Sequence, residues 1–117
     1  MKPARLNFPT AHDEDCLYRQ LAWAAGLTFV DLRATRVSPG TLRKVSAEVA
    51  RSRRMVPLIF NSRRVVLVVD DPTLPFSVEI EDFHALLGVS ENHELAFTLA
   101  SPSAIDELLA DRYAEMI

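Results

Sequence analysis

Glycine, cysteine and tryptophan are scarce in this sequence, with three, one and one in 117 residues. Gly26, Gly40 and Gly88 lie far apart and no Gly-Lys-Ser/Thr follows any of them, so these residues hold no phosphate-cradling loop for nucleotide hydrolysis. The lone Cys16 has no partner for an internal disulfide and fits a reducing compartment, so a cytoplasmic location is expected. The histidines, His12, His84 and His93, form no H-x-x-x-H pattern, and no serine lies in G-x-S-x-G. No catalytic residue, metal site or cofactor is therefore expected. Long apolar runs are missing too: the longest, Val65–Val69, is the length of a strand, so any membrane association must pass through a partner rather than direct insertion. Basic residues are outnumbered, 13 to 16, and the formal charge of −3 provides no general attraction to nucleic acid or anionic lipid.

What is present is the material of one folded domain, with 49% hydrophobic and 25% charged residues. Residues 1–9, with Pro3 and Pro9, read as an extended arm. Residues 10–26 read as an N-terminal helix with Thr10 as cap, Asp13 in capping-box spacing, a stripe of Leu17, Leu21 and Ala24 or Ala25, and Gly26 as stop. The rest, 27–117, reads as an α/β core. Leu27–Leu32 is β-prone. Ser38-Pro39 starts a second helix, whose Leu42, Val45 and Val49 repeat runs to about Ala50. Val56–Phe60 and Val65–Val69 flank the polar Asn61-Ser62-Arg63-Arg64 and predict a hairpin. Because Val65–Val69 does not alternate, it should be a central strand covered on both faces. A third helix is expected from Ser77 to Leu87, with Gly88 as its stop, then a strand at Leu95–Ala100 and a last helix opening at Ser101-Pro102. The fold class is α+β: three to four short strands with a hairpin, packed by about four helices.

Two candidate sites stand out. Trp23 lies off the apolar stripe of the first helix, on a face with Arg19, Gln20 and Cys16, although Cys16 itself reads as half-buried. Tryptophan and arginine are enriched at binding hot spots, which makes Arg19, Gln20 and Trp23 the candidate partner-binding residues. The alternative is an anion or nucleotide site built from Arg53, Arg54, Arg63 and Arg64, which the hairpin is expected to bring to one end of the sheet. Two acidic groups read as structural: His12-Asp13-Glu14-Asp15 as the acid-rich start of a helix, and Asp70-Asp71 before Pro72 as a turn.

A family resemblance spans about Leu17 to Tyr113. Leu21-Ala22, Ala25-Gly26-Leu27, Phe29-Val30-Asp31-Leu32, Pro57-Leu58, Asp71-Pro72-Thr73, Leu87-Gly88, Ala100-Ser101, Ile105 and Tyr113 resemble the N-terminal domain of the type II secretion ATPase, the E subunit, and its relatives in type IV pilus assembly. Thr28 replaces the usual proline and Ser62 the usual turn glycine. The resemblance implies an α/β module preceding an ATPase motor. Such a module docks onto the cytoplasmic domain of an inner-membrane protein, the L subunit, and so reaches the membrane through that partner. Some relatives bind cyclic di-GMP through two copies of R-x-G-x-x-L…L-x-x-A-L-x-x-Q. Here only the tail of one copy fits, with Ala24 at the glutamine position and no Arg-x-Gly before it.

Overall fold

The computed structural model describes residues 11–74, 84–85, 87–89 and 93–111. The expected arm over 1–9, the Thr10 cap, the third helix except its last turn, and Tyr113 lie outside the described residues. Within them the chain forms α1 (Ala11–Ala25), β1 (Thr28–Phe29), α2 (Pro39–Leu42), α3 (Ala47–Arg53), β2 (Met55–Phe60), β3 (Arg64–Val69), β4 (Glu94–Leu99) and α4 (Pro102–Asp111). Among the described residues these four helices and a four-stranded mixed sheet make the α+β architecture expected.

The sheet order is β1-β4-β3-β2, with β1 and β3 each parallel to β4 and β2 antiparallel to β3. Strand β3 is the expected centre: Val65, Val66, Leu67, Val68 and Val69 are all buried, and only Arg64 at its start reaches solvent. Burying such side chains is worth roughly 1.5–3 kcal/mol apiece before entropy is charged, so this strand is the main apolar investment of the fold. Strand β2 lies at the sheet edge. Its Pro57 has no N–H to leave unpaired there, and the register shifts between Pro57 and Ile59, two devices that discourage strand addition.

Strand β1 is shorter than the Leu27–Leu32 segment expected. The chain leaves the sheet at Asp31, whose carboxylate accepts the Arg33 N–H at 3.1 Å and whose carbonyl accepts the Thr35 hydroxyl at 2.7 Å. An aspartate that bonds its own following backbone favours a turn over continued pairing. What remains is pinned by a threonine pair: Thr28 Oγ1 donates to Thr98 Oγ1 at 2.8 Å, and Thr98 Oγ1 donates back to the Thr28 carbonyl at 3.0 Å.

The second expected helix is two. Ser38 and Pro39 start α2 as anticipated, with Ser38 Oγ accepting the Thr41 N–H. The helix then stops after Leu42, and Ser46 caps a new start by accepting the Val49 N–H at 3.2 Å. A serine that captures a backbone N–H three residues ahead offers the chain an alternative to the helical ladder. The apolar period of Leu42 and Val45 survives the break, since both stay buried. Helix α3 runs to Arg53, beyond the expected end at Ala50, and closes on Arg54 in the left-handed region, φ 52°.

Candidate functional site

Helix α1 turns Tyr18, Leu21 and Ala22 towards the core and leaves Cys16, Arg19, Gln20, Trp23 and Ala24 exposed. The three candidate partner-binding residues therefore share the outer face of one helix. Cys16, expected to be half-buried, is exposed on that face, because the buried stripe is rotated towards Tyr18 and Ala22. Trp23 is 87% exposed, and it is the exposed large hydrophobic side chain of the described residues. Arg19, one turn earlier, lays its guanidinium over the Phe29 ring, 4.6 Å from the centroid, which ties this face to β1. Gly26, at φ 72°, closes the helix: its N–H donates to the Trp23 carbonyl at 3.1 Å, and the Leu27 N–H donates to the Ala22 carbonyl at 2.8 Å. This is a Schellman closure, and it fixes the backbone turn that carries Trp23.

The inner end of α1 is held by charge. Glu14, 8% exposed, accepts from both the N–H and the hydroxyl of Ser103, so a carboxylate sits on the first turn of α4 where the unpaired N–H groups and the helix dipole favour an anion. Arg33, in the turn after β1, joins the same group. It donates from Nη2 to Ser103 Oγ at 2.6 Å and from Nε to Glu107 at 3.0 Å, and stands 3.6 Å from Asp15. The acidic run at the start of α1 thus does more than cap its own helix. The sequence marked Glu14 only as part of an acid-rich helix start and gave Arg33 and Ser103 no site role, because the contact of Glu14 with Ser103 joins segments 89 residues apart.

The arginine site expected at one end of the sheet does not form. In an antiparallel hairpin the residues entering β2 and those in the turn to β3 are at opposite ends, and the register, Met55 against Val69 and Phe60 against Val65, places Arg53 and Arg54 at one end and Arg63 and Arg64 at the other. Six residues of strand separate them, roughly 20 Å. Arg54 is moreover engaged internally: Nε donates to Asp70 Oδ2 at 2.7 Å, Nη1 to Asp106 Oδ1 at 2.7 Å and Nη2 to the Pro102 carbonyl at 3.3 Å. Burial alone would lower the pKa of this guanidinium and is the largest single influence on it. The bonds and charges of Asp70 and Asp106 together outweigh it, so the group is held above its ordinary value. The fork also explains how Arg54 tolerates a left-handed backbone that costs a non-glycine residue roughly 1–2 kcal/mol. Arg53, Arg63 and Arg64 remain exposed.

Asp71 makes the turn its sequence foretold, accepting the Thr73 N–H at 2.9 Å and the Thr73 hydroxyl at 2.6 Å. Its neighbour Asp70 instead pairs with Arg54. His84 is buried, and its Nε2 donates to the His93 carbonyl at 3.0 Å, while its Nδ1 has no hydrogen-bond partner among the described residues. Among the described residues no group of three or more His, Cys, Asp or Glu could hold a metal ion, and no helix is long and apolar enough to cross a membrane.

The MshEN domain family model matches residues 25–117. Among solved structures, MshE with cdg aligns with a TM-score of 0.67 at 21% identity, over 83% of this chain and 66% of that one. The N-terminal domain of XpsE aligns with a TM-score of 0.57 at 20% identity, over 83% of this chain and 64% of that one. The chain thus spans slightly less than two thirds of the length of either structure, and at these identities the likeness is one of fold. No curated protein sequence matches the chain. Helix α1, with the exposed Trp23, lies almost wholly ahead of the stretch the family model covers.

Proposed function

Since the chain belongs to the MshEN domain family, the N-terminal domain of type II secretion and type IV pilus ATPases, we propose that it is a non-catalytic adaptor. It docks an ATPase motor to the cytoplasmic domain of an inner-membrane assembly protein of the L type, and it reaches the membrane through that partner. The face that makes this contact is the outer side of α1, with Trp23 as anchor and Arg19 and Gln20 beside it.

The observation that carries this reading is the exposure of Trp23 on a helix fixed at both ends. Leaving a tryptophan 87% in water forgoes the burial energy of the largest apolar side chain, and a face already ordered by the Glu14 and Gly26 contacts loses little further entropy when a partner covers it. Its mixture of one aromatic, one arginine and one amide is the composition of an interface centre.

Calorimetric titration with the L-type cytoplasmic domain encoded beside this chain tests the reading. Stoichiometric binding is expected, with Trp23→Ala weakening it by roughly thirtyfold, as for a hot-spot aromatic. Absence of binding by the unaltered chain would remove the adaptor role; binding indifferent to Trp23→Ala would move the interface elsewhere.

A further inference from the structure

The charge of this chain is segregated. Nine of its thirteen basic residues fall between Leu32 and Val69, a stretch whose single acidic residue is Glu48, although the whole chain is net negative. Two of the nine, Arg33 and Arg54, make ion pairs within the chain. Arg36 lies ahead of α2; of the other six, Arg43 and Lys44 link α2 to α3, Arg51 and Arg53 lie in the last turn of α3, and Arg63 and Arg64 sit at the turn between β2 and β3. All six are exposed, and none makes an ion pair among the described residues. Helices α2 and α3 both pack on β2, so the six cations lie around this edge strand and its turn to β3, where Glu94 of β4 stands in register with Arg64. Helix α1 packs on β1 and β4, towards the opposite edge.

From this arrangement we propose that the β2 edge is a second docking surface, which takes an extended acidic segment of a partner protein. Its length selects the occupant. The cations reach from the end of α3 to the hairpin turn, roughly 20 Å apart, too far for one phosphate group and suited to a run of about six extended residues. Five of the six are arginines, whose planar guanidinium matches a carboxylate with two parallel bonds. The acidic remainder of the chain selects as well. A nucleic acid or an anionic bilayer extends beyond the patch and meets that repulsion, whereas a short acidic segment can follow the cations, passing only Glu48 of α3 and Glu94, which stands in register with Arg64. This surface is independent of the α1 face, and neither proposal needs the other.

The test is fluorescence anisotropy of this whole chain with a labelled oligo-glutamate peptide, beside a duplex DNA oligonucleotide and phosphatidylglycerol vesicles. The peptide is expected to bind at low ionic strength and to weaken as salt is raised. Arg51→Glu with Arg53→Glu, and separately Arg63→Glu with Arg64→Glu, should each reduce peptide affinity by about tenfold. Charge-neutral Arg→Gln pairs should give smaller losses, and unchanged circular dichroism and melting would show that the fold is intact. Failure of the peptide to bind overturns the proposal. So does a loss confined to one end of the edge, which would mark a point anion site, or equal binding of DNA or vesicles, which would mark a generic polyanion surface.

Discussion

Glu14 and Ser103, 89 residues apart, form one unit in which a carboxylate from the first turn of α1 accepts both the backbone N–H and the hydroxyl of the serine in the first turn of α4. The contact joins the helix that bears Trp23 to the helix that follows β4. Breaking it should loosen the docking face before it harms the sheet. Glu14→Ala is expected to cost about 2 kcal/mol, since it removes a nearly buried charged acceptor and leaves two donors unmet. Glu14→Gln keeps an acceptor and should cost about half as much. Thermal melts of the two variants check this, with hydrogen exchange expected to rise first in α1. Equal melting temperatures for Glu14→Ala and the unaltered chain would refute it.

Arg54 offers a different kind of prediction, because backbone and side chain pull in opposite directions. Its left-handed φ favours glycine, while its guanidinium holds Asp70 and Asp106 at once. Arg54→Ala keeps the strain and loses the fork, and should cost about 3 kcal/mol; Arg54→Gly relieves roughly 1 kcal/mol of that strain and should cost less. Alanine destabilising no more than glycine would contradict the account. The sign of the pH effect follows from the raised pKa: the contribution of the charge is present at every pH below the ordinary arginine range and is lost only as pH rises through the still higher folded value. Titration of Arg54 therefore adds no slope to stability between about pH 6 and 10, which urea melts across that range would reveal.

These residues also show where the sequence was informative and where it was silent. Strand β3 and its hairpin were legible because five consecutive apolar side chains admit few placements, and the Ser38-Pro39 start and Gly26 stop because each solves a local backbone problem. The break at Ser46 was hidden. The apolar period of Leu42, Val45 and Val49 passes through it unbroken, and only the serine side chain decides that two caps replace one ladder. The candidate docking face was partly legible, since the position of Trp23 off the apolar stripe is a property of helical spacing alone. The arginine site failed for a topological reason: nearness in a list of charges ignores that a hairpin sends its entry and its turn to opposite ends. The partners of Arg54 were out of reach, because Asp106 lies 52 residues away and meets it only through tertiary packing.

Trp23 should report its own surroundings. A side chain this exposed is expected to fluoresce with a solvent-like maximum and to be quenched freely by iodide, and Trp23→Ala should change stability by less than about 0.5 kcal/mol, as surface substitutions do. The same spectrum followed during titration with the L-type domain should shift to the blue as the ring is covered. A blue-shifted, quencher-resistant emission in the free chain would mean that the ring is already covered and would take away the observation on which the docking face rests.

The last prediction concerns cyclic di-GMP, because one structural relative was solved as MshE with cdg. Here the sequence offers the tail of a single copy of the motif, with Ala24 at the glutamine position. The arginines available to substitute are divided between two ends of the hairpin, and Arg54 already serves Asp70 and Asp106. An anion clamp needs converging donors, and none of these pairs converges with the other. The expected outcome in a thermal shift series with cyclic di-GMP is therefore no stabilisation. A ligand at a hundred times its dissociation constant would add about 2.7 kcal/mol, several degrees in a domain of this size, so binding would be conspicuous. A concentration-dependent rise in melting temperature would show that this chain holds a dinucleotide by residues other than these arginines. Repeating the titration with Trp23→Ala and with Arg63→Glu and Arg64→Glu would then locate the ligand on one edge of the sheet or the other.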